Sequence, residues 1–117
     1  MSVSIEGGLI SEPKAITGNT ITTVFTAERR TLIASIVVTP TSGTPNLSIS
    51  RYDGTTRVYL RKAVAMTAGT AFVFETPFTL DPAGVLEVTS SAAGGDMDVL
   101  TTYVNPVAPA TVRTSTQ

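Results

Sequence analysis

One stretch limits the fold more than any other: Thr31–Pro40, TLIASIVVTP, the longest apolar run in the chain. It is rich in β-branched residues and is closed by the turn cluster Pro40, Thr41, Ser42 and Gly43. Read with a period of two, Leu32, Ala34, Ile36 and Val38 share one face, and Ile33, Ser35, Val37 and Thr39 share the other. A wholly apolar face backed by a mixed one is the pattern of a central strand in a packed sheet. The run is too short to cross a bilayer as a helix, which needs roughly 20 residues. It is expected to be the spine of a β-sandwich, with the rest of the chain arranged around it.

Around the spine, the chain alternates and turns about every ten residues, as antiparallel sandwiches and barrels do. The segment 19–26 reads as a strand with Ile21, Thr23 and Phe25 on one face, and Ala27, Glu28, Arg29 and Arg30 as its polar connection to the spine. Asn46–Tyr52 alternates and ends at Asp53-Gly54, a strong hairpin dipeptide expected to form a type I′ or bulged turn. Arg57–Val64 follows as the return strand, and Thr67–Thr70 turns the chain again. Phe72 and Phe74 share a face that must point inward, because burying each is worth about 1.5–3 kcal/mol. Pro77 cannot donate to a ladder and breaks or edges that strand. Asp81-Pro82-Ala83-Gly84 has proline at the second turn position. Val85–Ser90 then places Leu86 and Val88 inward and Glu87 and Thr89 outward; after the turn at Ala93–Asp96, Met97–Val104 is the last strand.

Threonine and serine supply 31 of 117 residues, and no window of a dozen holds a helical apolar stripe. Thr favours strands, Ser favours turns, and both are mediocre in helices. The expectation is one all-β domain: a single antiparallel sandwich, jelly-roll-like, of seven or eight short strands over residues 19–104. Hairpins should dominate its second half, from Asn46 to Val104.

The flanking segments read as arms, 1–18 at the N-terminus and 105–117 at the C-terminus. The latter, NPVAPATVRTSTQ, has little to bury. Ordering its thirteen residues costs roughly 1–2 kcal/mol each. Val107, Val112 and Pro109 cannot offset that against the parent domain alone, so an ordered arm needs a partner surface. The same reasoning covers Met1–Gly18.

Composition narrows the chemistry. With neither Cys nor His, disulfides, thiolate metal sites, the usual general base and the Ser-His and Cys-His pairs are all excluded. Eight basic and nine acidic residues, scattered along the chain, give no basic patch for nucleic acid. The first residues, MSVSIEGGLISEPK, lack the positive and apolar regions of a secretory signal, so manufacture and assembly in a reducing cytoplasm is expected.

Several residues could still carry a site. Asp53, Asp81, Asp96 and Asp98 lie in or beside turns, where Ca²⁺ ligands often sit, but Asp is also simply a good turn former and no EF-hand spacing is present. Asp96 and Asp98 flank Met97 and so share a face, but no other polar group converges on them for acid–base work. Gly7-Gly8 and Gly94-Gly95 lack the Lys-Ser/Thr of a phosphate loop. Arg29-Arg30 and Arg61-Lys62 read as solvated edge charges that discourage wrong pairing, or as contacts to an acidic partner. Tyr52, Tyr59 and Tyr103 are too scattered for a sugar-stacking platform, and Tyr103, alternating with Val99 and Thr101, reads as half-buried core. The expectation is no catalytic, metal or cofactor residues, no cofactor, and no nucleic-acid or membrane partner.

Three segments, VFTAERRTLIASIVVTP, RVYLRKAVAMTAGTAFVF and LDPAGVLEVTSSAAGGDMDVLTTYV, resemble a group of small tailed-bacteriophage virion proteins. The likeness rests on Thr31, Ile33, Ser35 and Ile36, then Tyr59 and Leu60, then Leu86, Val88, Ser91, Ala92, Ala93, Gly94, Asp98 and Val99. It covers about Ile21–Val104; Glu28-Arg29-Arg30 and Pro82-Ala83-Gly84 depart from the pattern, both in loops. The resemblance implies a non-enzymatic virion building block: a capsid decoration or cement protein that binds the major capsid protein or other virion subunits through its arms and associates with its own copies. A neck or tail ring component is the alternative, and a carbohydrate- or receptor-binding module a more distant one.

Overall fold

The computed structural model of the chain describes residues 8–17, 21–67, 69–91 and 96–105. They hold nine strands and no helix: β1 (Leu9–Ile16), β2 (Ile21–Thr26), β3 (Thr31–Ser42), β4 (Asn46–Tyr52), β5 (Arg57–Ala65), β6 (Phe72–Phe74), β7 (Phe78–Leu80), β8 (Val85–Ser91) and β9 (Asp96–Val104). The first sheet runs β1-β9-β3, with β6 and β7 paired in succession along the far side of β3; the second runs β2-β8-β4-β5. Every pairing is antiparallel.

With β6 and β7 counted as one strand interrupted near Pro77, first pairs with last, second with second-last, and so on inward to the β4–β5 hairpin. This is the winding of a jelly roll. The expected run of hairpins in the second half is therefore corrected: only β4–β5 is one, and the connections after β5, β7 and β8 cross between sheets. A turn signal says that the chain reverses, not which neighbour the next strand will meet.

The spine expectation holds for β3, the longest strand, which is paired on both sides. Its facing is corrected at one end. Thr31, Ile33, Ile36 and Val38 are buried, whereas Leu32 is 40% exposed. The β3–β9 register slips between Ile33 and Ser35, and the inserted residue exchanges the two faces. In β2 a slip between Thr23 and Phe25 likewise buries the consecutive pair Val24 and Phe25, and leaves Ile21 and Thr23, expected on one face with Phe25, exposed. Glu87 points outward as expected, yet is covered to 6% exposed.

The N-terminal arm is corrected in part. Residues 9–16 form β1, held over eight consecutive pairs to β9, while 1–7 and 18 lie outside the described residues. The Asn105 amide donates to the Gly8 carbonyl at 2.7 Å. Because bonded and non-bonded pairs alternate, the even-numbered residues of β1 bond to β9 and the odd ones face the free edge. Pro13 therefore puts its missing donor on that edge, where no ladder needs it and where a further strand would be refused. Two of the other edges of the sandwich carry similar devices. β6 and β7 have three residues each, and β5 slips register twice. One slip is accommodated by Ala63 at φ 54°, whose amide donates to Ser48 Oγ at 3.0 Å.

Ile33, Ile36, Leu47, Ile49, Leu86, Val88, Met97 and Val99 fill the space between the sheets. Thr101 sits among them with its hydroxyl unpaired among the described residues. The hairpin loop is longer than the Asp53-Gly54 dipeptide suggests. Tyr52–Arg57 is the last pair, and the Asp53 carboxylate accepts from the Thr55 and Thr56 amides at 2.8 and 2.7 Å. These amide bonds, that of Thr56 foremost, hold the Asp53 carboxyl below its ordinary value of 3.8.

The turn 81–84 joins the two sheets. Gly84 donates to the Asp81 carbonyl, Ala83 to that of Ala27, and Ala27 to that of Gly84. Ala83 sits at φ 71°, the third-position conformation of a type II turn, which glycine favours. Replacing Ala83 by Gly should therefore stabilise the fold by about 0.5–1 kcal/mol. Gly84→Ala should destabilise it by about 1–3 kcal/mol, since the added carbon would stand 2.9 Å from the Asp81 carbonyl oxygen. Denaturant unfolding of the two variants measures both signs.

Candidate functional site

Each sheet buries one face against the other and leaves one outside, and the two outer faces differ in chemistry. On the first sheet, the odd residues of β1 and the even residues of β9 point outward, since Ile16, Met97, Val99 and Thr101 point in. Three rows cross the strands from the Gly8–Asn105 end. Leu9 stands opposite Val104, with Leu32 next on β3 and Thr79 beyond it on β7. Ser11, Thr102 and Ser35 follow, and the first two share a hydrogen bond of 2.9 Å. Pro13, Leu100, Val37 and Val73 make the third row, in unbroken register across all four strand positions.

No charged side chain stands in these rows on β1, β9 or β3; Glu75, exposed just past β6, flanks the Ser35 row at its far end, and Asp98 comes in the next row, between Ala15 and Thr39. Leu9, Leu32, Val73 and Leu100 are four of the seven large apolar residues that the described structure leaves exposed. An uncharged field with apolar rows is what the centre of a protein interface looks like, because charge is depleted there.

The second sheet's outer face satisfies itself. Thr23, Glu87, Ser50 and Tyr59 form a row across its four strands. The Arg57 guanidinium lies 2.7 Å from Glu87 and stacks on Tyr52 at 4.6 Å, and Ser50 donates to the same carboxylate at 3.4 Å. The bond to Glu87 holds the Arg57 guanidinium above its ordinary value. Lys62 lies over Tyr59 at 4.8 Å. Glu87 points outward as alternation expects, but an arginine 30 positions away covers it, and alternation carries no trace of that cover.

The remaining candidates do not converge. Asp53 caps its own loop, Asp81 pairs with Arg30 at 3.0 Å, and Asp98 is exposed on the first sheet. No group of three or more acidic side chains is gathered among the described residues. Of the basic pairs, Arg61 lies over Phe74 at 4.7 Å and, with Lys62, on the edge strand β5. Tyr103 is half-buried against Phe25, centroids 4.5 Å apart, and packs on the core as expected. Gly7 and Gly94-Gly95 lie outside the described residues. A cleft of about 380 Å³ opens beside Tyr103, between β1, β2 and the loop into β3.

Arg57→Ala should destabilise the fold, because it leaves the nearly buried Glu87 carboxylate unpaired. Arg57→Ala combined with Glu87→Gln should recover part of that loss, because no carboxylate is then left unpaired. Equilibrium unfolding of the single and double variants measures the difference.

No family model and no curated protein matches the chain. Among solved structures, a chain from infectious bursal disease virus, Gx strain, is similar at 14% identity and TM-score 0.50. The match covers 86% of this chain, which spans only 37% of that one. A chain from the disulfide-linked pili formed by Bacillus endospore appendages is similar at 14% identity and TM-score 0.48, over 92% of this chain and 98% of that one. The likeness to the virus chain is one of fold.

Proposed function

We propose that the protein is a non-enzymatic structural component of a bacteriophage particle, a decoration or cement protein whose first sheet lies with its outer face on the shell subunits. The observation that carries the reading is that face: two largely apolar rows flanking a row of hydroxyls, with no charge in them on β1, β9 or β3, on a four-position sheet whose free edges refuse further strands. A surface of this kind is suited to a flat partner. The jelly-roll winding, the likeness to a virus chain and the sequence resemblance to phage virion proteins support the same reading.

The energetics favour a repeated partner. Covering what remains exposed of Leu9, Leu32, Val73 and Leu100 is worth roughly 1 kcal/mol each. That total barely meets the low end of the cost of association, about 4–15 kcal/mol. A single contact of this sort is weak, whereas many copies on a symmetric shell bind through avidity. The arms add a second grip in this reading. Gly8 and Asn105 are hydrogen-bonded to each other, so segments 1–7 and 106–117 both join the domain at one corner, beside the Leu9–Val104 row.

Leu100→Asp tests the face, since a charge there meets solvent in the free protein and a dry contact in the particle. The variant should keep the wild-type unfolding midpoint and bind particles lacking the protein at least about tenfold more weakly. Removal of residues 106–117 should leave the domain folded and also reduce incorporation. Wild-type incorporation of Leu100→Asp would contradict docking through this face.

A further inference from the structure

The cleft beside Tyr103 has a chemistry of its own. Its floor is the ring of Tyr103, tilted on Phe25, and its rim carries Glu12 from β1 and Glu28 and Arg29 from the loop into β3. None of those three charged side chains forms a salt bridge among the described residues, although Arg30, the next residue, does so with Asp81. Carboxylates left unpaired around an aromatic wall are the groups that hold a cation. Burial, with the charge of Glu12 behind it, raises the Tyr103 hydroxyl above its ordinary 10.0, so the tyrosine stays a neutral donor and acceptor.

The lining discriminates among ligands. Two carboxylates against one guanidinium disfavour an anion. A planar cation fits better: its edge can meet a carboxylate in two parallel hydrogen bonds while its plane lies along the tyrosine ring. At about 380 Å³ the cleft lies at the small end of ligand sites and has room for one side chain.

We propose that this cleft binds the guanidinium of an arginine presented by a partner polypeptide, held by Glu12 and Glu28 against Tyr103. The source of the arginine rests on the docking reading above. The cleft opens at the corner where Asn105 leaves β9, so a partner seated on the Leu9–Val104 row would lie within reach of it.

The test uses no particles, so its failure is distinguishable from failure of the docking reading. N-acetyl-arginine amide is titrated into the isotopically labelled full chain, and the amide resonances of residues 12, 26, 28, 103 and 105 are followed. Saturable, millimolar-range shifts confined to these positions are expected. N-acetyl-citrulline amide, of the same shape without the charge, should bind at least about tenfold more weakly. Glu12→Gln with Glu28→Gln should remove the shifts while leaving the unfolding midpoint unchanged, both residues being exposed. The proposal is overturned if the arginine compound produces no saturable shifts, if citrulline matches it, or if the double variant binds as wild type does.

Discussion

Two four-position sheets must each hide one face against the other, and everything else in this molecule follows from how the chain meets that demand. The strands are not uniformly alternating. β3 carries Ile33 and Ile36 into the same core although two residues separate them, and β2 carries in Val24 and Phe25 although none does. In each case one inserted residue resets the phase. Without those resets, either Leu32 would displace Ile33 at one end of the core or Val37 would displace Val38 at the other. Inserted residues also deepen the local twist, which lets two sheets of this width curl over one another.

That same demand leaves the outer faces free to differ. The second sheet spends its outer face on itself: Arg57 covers Glu87, stacks on Tyr52, and leaves little for a partner to satisfy. The first sheet has no such arrangement. Its only side-chain bond between neighbouring strands in the uncharged rows is the one between Ser11 and Thr102. Blunted edges belong to the same logic. Pro13, the two short strands at the far side of β3, and the slips in β5 all discourage growth of the sheets sideways, so face contact is the mode of association these edges leave. Residues 9–16, expected to belong to an arm that grips a partner, are a strand already used within the domain.

Much of this was legible in the residues. The length and β-branching of Thr31–Pro40 marked the central strand, and Phe72 and Phe74 declared their inward face. Pro77 marked the break between the two short strands, and the spacing of turns gave the class of fold. Bulges were not legible, because a single inserted residue leaves no compositional sign, and so Leu32 and Ile33 were assigned to each other's sides. Partner choice was equally hidden: Leu9–Ile16 alternates too weakly to look like a strand until Met97–Val104 is laid beside it. The candidate surface was invisible for a related reason. Pro13, Leu100, Val37 and Val73 come from four distant parts of the chain and become a row only through register.

The most direct measurement is side-chain footprinting of the protein free and bound to its particle, by hydroxyl-radical labelling read by mass spectrometry. Docking through the first sheet predicts that Leu9, Leu32, Val73 and Leu100 lose reactivity on binding. Ile21 and Tyr59, exposed on the second sheet, should keep theirs. Protection of Ile21 and Tyr59 with the first four residues unchanged would contradict the account.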